Sequence, residues 1–229
     1  MATSVTWATL KAEILRELDL QGEDFITATE LMDYANDAID EAEAEIMTIY
    51  EKYFETEANL SVTSGVATVS MPTGIYANKI TCINYDNGST KYEVKRIKNL
   101  KEIPHIQAGQ LYRYRIINPT GGYQIKLYPT PTETTSTYFT CYYLRNANAI
   151  TADATVIDLP EAKGFIKAHI KARCMAKEGF PGNPAVNPDV EKQRQLLIET
   201  LENMVPDENN EIEPDMSFYD DFYGEFYDW

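Results

Sequence analysis

Only two histidines, His105 and His169, occur in this chain of 229 residues, so histidine-dependent catalysis would have to rest on one of them. His105 lies in Ile103-Pro104-His105-Ile106, which reads as a loop or short turn, and His169 falls on a helical run among lysines. Neither has a cysteine, serine or carboxylate at a spacing that makes a nucleophile and its base, so both read as ordinary polar positions. The cysteines, Cys82, Cys141 and Cys174, are far apart and odd in number. That pattern fits reduced, buried thiols of an intracellular protein better than a secreted disulfide framework. No phosphate loop, dinucleotide fingerprint, nucleophile elbow or zinc spacing is present. Asp86-Asn87-Gly88 lacks the alternating ligands and distal glutamate of a calcium loop and reads as a turn. Hence we expect no catalytic residue, no cofactor and no metal ligands.

The chemistry left is that of charge and aromatic surface. Lysine plus arginine total 20 against 36 acids, a formal charge of −16. Residues 207–229 hold nine acids, no base and seven aromatic rings, so −9 of the −16 lies there and −7 in residues 1–206. The rings recur as Phe218-Tyr219, Phe222-Tyr223 and Phe226-Tyr227 and end at Trp229. Four-residue spacing would place two series of neighbouring rings on helix faces. Gly224 and acids near the C-terminal end oppose an isolated helix. The segment therefore reads as an arm that orders against a partner, with rings as anchors and acids as steering charge. A solubility tail, or an arm folded back on its own domain, is the plainer alternative. The acidic balance argues against wrapping nucleic acid, although not against DNA passing close by.

Two basic groups stand against this background: Lys91, Lys95, Arg96, Lys98 and Lys101 along a strand and the following loop, and Lys163, Lys167 and Lys171 at helical spacing. They read either as contacts for an acidic arm or acidic partner surface, or as edge protection and a solvated helix face.

The elements that must carry these groups follow from periodicity. Trp7, Leu10, Ile14 and Leu18 predict a helix over about 7–20, and Thr27-Ala28-Thr29-Glu30 reads as a capping box opening a helix over about 28–54. Its stripe runs Leu31, Ala35, Ala38, Ala42, Ile46, Ile49, Tyr53, alanine-rich and suited to close packing. Over about 57–145 the period falls to two, with three expected hairpins: around Ser64-Gly65, around Asp86-Asn87-Gly88, and around residues 118–122. A last strand covers Tyr138 to Leu144. Asp158-Leu159-Pro160-Glu161 predicts a helix over about 160–178 with Asp158 as cap, and Asn187-Pro188 caps another over 188–204 with Leu197, Leu201 and Met204 inside. The expected fold is α+β: a bundle of N- and C-terminal helices with an inserted antiparallel β sandwich or barrel. The body spans 1–206 and the acidic arm 207–229. The N-terminus shows no leader pattern, and no apolar run approaches a membrane span, so the chain reads as soluble, made in the cytoplasm and without membrane contact.

Three segments in this order resemble the head-to-tail adaptor, or connector, proteins of tailed bacteriophages. They are Thr29-Glu30-Leu31-Met32-Asp33-Tyr34-Ala35-Asn36-Asp37-Ala38, Val69-Ser70-Met71-Pro72-Thr73-Gly74-Ile75, and Asp158-Leu159-Pro160-Glu161. The resemblance covers residues 6 to about 205. It implies a non-enzymatic virion subunit in a dodecameric ring that extends the portal protein, meets the next neck or tail ring, and surrounds DNA without reading its sequence. It also implies a location in the neck of the virion; extended C-terminal segments of such adaptors can reach a neighbouring ring, which suits the aromatic arm here, although residues 207–229 match no motif of the family. Other readings stay open: another neck or tail-completion subunit, or a cytoplasmic binding module whose arm mimics nucleic acid. A hydrolase would need a carboxylate pair in a deep pocket.

Overall fold

The computed structural model describes residues 5–20, 26–179 and 187–205. Along them run β1 (Val5–Thr6), α1 (Trp7–Glu17), α2 (Ala28–Ile49), β2 (Glu55–Asn59), β3 (Thr68–Ser70), β4 (Ile75–Asp86) and β5 (Lys91–Glu93). Then come β6 (Lys95–Arg96), β7 (Arg113–Ile117), β8 (Gln124–Tyr128), β9 (Phe139–Arg145), β10 (Val156–Ile157), α3 (Lys163–Lys177) and α4 (Pro188–Met204).

The helices form because apolar residues recur at three- and four-residue steps behind polar caps. Thr27 and Glu30 make the expected capping box: the Glu30 N–H donates to Thr27 Oγ1 at 3.2 Å and the Thr27 N–H to Glu30 Oε2 at 2.9 Å. Asn187 caps α4, its side chain accepting from the Asp189 N–H at 2.9 Å. Leu31, Ala35, Ala38, Ala42 and Ile46 are buried along α2 and share one core with Trp7, Leu10 and Ile14 of α1, Phe165, Ile166 and Ile170 of α3, and Leu197 and Leu201 of α4. The N- and C-terminal helices thus pack together, as the alanine stripe predicts.

Several boundaries differ from expectation. The second helix stops at Ile49, and a separate 3-10 turn covers Glu51–Phe54. The third helix opens at Lys163 behind Ala162, which supplies no side-chain cap. Asp158 instead pairs with Arg145 and accepts from the Asn148 N–H at 3.1 Å, because the chain is still returning from the sheets at that point. Met204 is exposed, lying at the frayed last turn beyond Leu201.

Between the helical halves lie two four-stranded sheets, β2-β9-β4-β5 and β3-β8-β7-β6, while β1 and β10 make a separate pair. Ile83, Phe139 and Cys141 of the first sheet and Val69, Tyr114, Ile125 and Leu127 of the second bury into a common second core. The sheets therefore face each other, and no closed barrel forms among the described residues. The hairpins β4-β5 and β7-β8 are antiparallel as expected. The hairpin expected at Ser64-Gly65 does not form. Strand β2 pairs with β9 in one sheet and β3 with β8 in the other, and Val62 bridges Thr135. Alternation places the first strand of that hairpin at 60–62, where only Val62 makes an isolated bridge, and the second at 66–69, which overlaps β3; the chain changes sheets between β2 and β3, and alternation carries no information about partners. A second departure is the parallel pairing of β6 with β7. Among the described residues no helix is long and apolar enough to cross a membrane.

Candidate interaction surfaces

The lysine series of α3 faces α1. Lys163 pairs with Glu13 at 3.1 Å, Lys167 with Glu13 at 3.7 Å and with Glu17, and Lys171 with Glu17 at 3.2 Å. The Lys167 hydrogen bond leads in holding the Glu17 carboxyl below its ordinary value. Lys167 and Lys171 also border an open hollow of about 420 Å³ between α3 and α4, with Asp189 and Gln193 opposite.

The other basic run is divided by the sheets. Lys91 stands on β5 and pairs with Asp86 at 2.7 Å. Lys95 and Arg96 stand on β6 in the second sheet, and Lys98 and Lys101 are exposed in the segment that follows. Arg96 borders an open groove of about 590 Å³ with Lys79, Glu51, Ile116 and Tyr123.

Strand register defines two further surfaces. In the second sheet Val69, Tyr114, Ile125 and Leu127 point into the core, so Arg113, Arg115 and Lys126 point outward. Lys95 lies opposite Arg113, and Arg115 lies opposite Lys126. Like charges directly opposed across strands are destabilising. Glu102 offsets Arg113 at 3.0 Å, and Lys126 lies 5.3 Å from the centre of the Tyr128 ring. Lys95, Arg115 and Lys126 have no ion pair among the described residues.

The first sheet is the converse. Ile83, Phe139 and Cys141 point inward, which turns Glu57, Tyr142, Asn84 and Glu93 outward. Glu55, two residues before Glu57, is also exposed. Burial first, then Glu93 and Glu55, pushes the Cys82 thiol up, as their shared proximity requires. Glu57 accepts a hydrogen bond from Tyr142 and raises its phenol's pKa. Asp86 and Lys91 complete this face as a neutral pair.

Among the described residues His169 is the buried polar residue of the helical core, 2% exposed, with Nε2 3.2 Å from Glu41. Sequence reasoning treated it as an ordinary position among lysines, whereas it lies on the opposite side of α3 from them. Burial leads in lowering its pKa. Arg194 of α4 pairs with Glu41 and, at 3.2 Å, with Glu45, and its guanidinium lies 5.7 Å from the Phe165 ring. This polar seam joins α2, α3 and α4. His105 ends an exposed 3-10 turn, Leu100–His105, away from the seam. Among the described residues no three His, Cys, Asp or Glu side chains gather as a metal site. Burial raises the thiols of Cys141 to about 12 and Cys174 to about 11, so neither is a nucleophile near neutral pH.

Phe218, Tyr219, Phe222, Tyr223, Phe226, Tyr227 and Trp229 lie outside the described residues. Sequence reasoning missed Arg113, Arg115, Lys126 and the acidic face; the signal was the charged residue at every second position of strands recognised only as strands. No curated protein shows significant similarity to the chain. A family model described as SU10 adaptor protein matches residues 5–211.

Proposed function

The chain belongs to the SU10 adaptor protein family of phage head-to-tail adaptors, and from that premise we propose that it is a ring subunit joining the portal to the tail. Family membership implies a structural, non-enzymatic role in the virion neck. The finer reading is a dodecameric ring beneath the portal protein, seated on the next neck or tail ring, with DNA passing through its centre. A channel built from copies each carrying −16 discourages DNA from sticking wherever that charge faces inward. The C-terminal arm, residues 207–229, docks on a neighbouring subunit or ring, and many weak arms acting together secure the joint.

The observation that carries this reading is the family match over a body whose four helices flank two sheets in sequence. It is tested by the mass of the purified protein alone and mixed with a cognate portal ring, measured by mass photometry. A fixed multiple of the chain on the portal is the expected result. A chain that stays monomeric and ignores the portal refutes the adaptor reading. Salt-sensitive capture of a basic DNA-binding protein by that monomer would then establish the nucleic-acid mimic.

A further inference from the structure

The two outer faces of the β module are opposite in sign and match in size. On the outside of β3-β8-β7-β6 stand four bases, Lys95, Arg113, Arg115 and Lys126, and the one acid paired to them is Glu102, leaving +3. On the outside of β2-β9-β4-β5 stand four acids, Glu55, Glu57, Asp86 and Glu93, and the one base paired to them is Lys91, leaving −3. Because the sheets enclose a shared core, these faces look away from each other and cannot neutralise one another within one copy.

We infer that they are the two halves of one contact between copies of this chain, the basic face of each copy seated on the acidic face of the next. This rests on the ring reading above and names the surface that would build it. Three features carry it. The chain holds nearly twice as many acids as bases, yet it sets bases directly opposite bases on one sheet, an arrangement unfavourable in an isolated copy. The complementary charge is displayed by the same chain at the same stoichiometry. A contact between two different faces is heterologous, and heterologous contacts generate rings when the rotation closes. Opposed charge fixes the register of such a contact and speeds encounter, while like-charge juxtaposition excludes wrong pairings. Tyr128 on the basic face and Tyr142 on the acidic face add ring surface to the charges.

The test reverses one face at a time in the full-length chain. Arg115→Glu with Lys126→Glu makes both faces acidic, and Glu57→Lys with Glu93→Lys makes both basic. Circular dichroism and unfolding temperature verify that each folds. Mass photometry, at low and high salt and with the portal ring, then compares wild type, each variant and their equimolar mixture. Each variant alone should lose the assembled species by about tenfold or more, and the mixture should recover it, because acidic and basic copies can alternate. If a variant does not fold, carbodiimide cross-linking of mixed light and heavy wild-type protein decides instead. Lys95 or Lys126 of one copy should join Glu57 or Glu93 of another, and links confined to other surfaces overturn the inference. Variants that assemble like wild type also overturn it and leave the ring reading standing. So does a mixture that stays dissociated, or an acidic variant that loses only duplex-DNA binding. A wild type that never assembles overturns both.

Discussion

Replacing Asn36 by alanine should unfasten the return from the sheets to the helices. The Asn36 amide grips the backbone of Ile150 from both sides: its Oδ1 accepts the Ile150 N–H at 2.7 Å and its Nδ2 donates to the Ile150 carbonyl at 3.1 Å. Ile150 itself is 2% exposed. Alanine leaves one donor and one acceptor in a half-buried place, and each unsatisfied group costs roughly 1–3 kcal/mol. Water reaches part of the site, so the low half of that range applies to each, and the total is about 2–4 kcal/mol. Aspartate keeps the acceptor but turns a second oxygen toward the Ile150 carbonyl, so Asn36→Asp should lose at least as much. Urea unfolding of both variants and wild type, at a concentration where all are monomeric, measures the difference at unchanged slope. A loss below about 0.5 kcal/mol for Asn36→Ala, the size of an ordinary surface change, refutes the reasoning.

The Glu30 carboxyl, held down to about 2 chiefly by the Lys177 hydrogen bond and then by Thr27, should make the α2 start acid-sensitive. Its folded value lies below the ordinary 4.5, so its contribution is present above that value and lost as pH falls toward 2. The stability advantage of wild type over Glu30→Gln should therefore shrink between about pH 5 and pH 2, read by thermal unfolding at each pH. A disulfide reagent at pH 8 should modify Cys82 first, with Cys141 and Cys174 reacting only after denaturant is added; equal native rates contradict the burial argument. A chain ended at Val205 should keep the circular dichroism of the full protein and fail to enter virions, and normal particles from it would remove the arm from the mechanism.

Asn36, within the adaptor-like segment Leu31-Met32-Asp33-Tyr34-Ala35-Asn36, makes that clamp, which sequence alone could not display. The pattern marked the position, but its partner is 114 residues away. Helices were legible because their signals are local: a capping box, an alanine stripe, Asn187 before Pro188. The β7-β8 hairpin was legible for the same reason. The sheet exchange between β2 and β3 was not, since period-two alternation fits any partner. Asp158 misled because its neighbours have the composition of a helix start while its carboxylate is taken by Arg145 and Asn148. The charged faces were half legible. Every member was visible as a charge, but whether Lys95 stands beside Arg113 or beside Lys91 depends on a parallel pairing formed where the strand crosses to the second sheet.

The same clamp bears on assembly. The β module joins the helices at two places: α2 leads through Glu51–Phe54 into β2, and β9 leaves through residues 146–155 toward β10 and α3. The second junction is pinned to α2 by Asn36 on Ile150 and by Glu43, whose carboxylate accepts the Ala147 N–H at 2.6 Å. Both anchors are on one helix, two turns apart, so they fix a direction as well as a point. A heterologous contact closes into a ring only when each copy turns the next by a constant angle. Loosening the junction should then leave the charged faces able to attract while the angle wanders. In Asn36→Ala the assembled species should become heterogeneous in mass at temperatures well below unfolding, where reversal of the charged faces abolishes assembly outright. A variant with sharp, wild-type masses would show that the sheets alone set the closing angle.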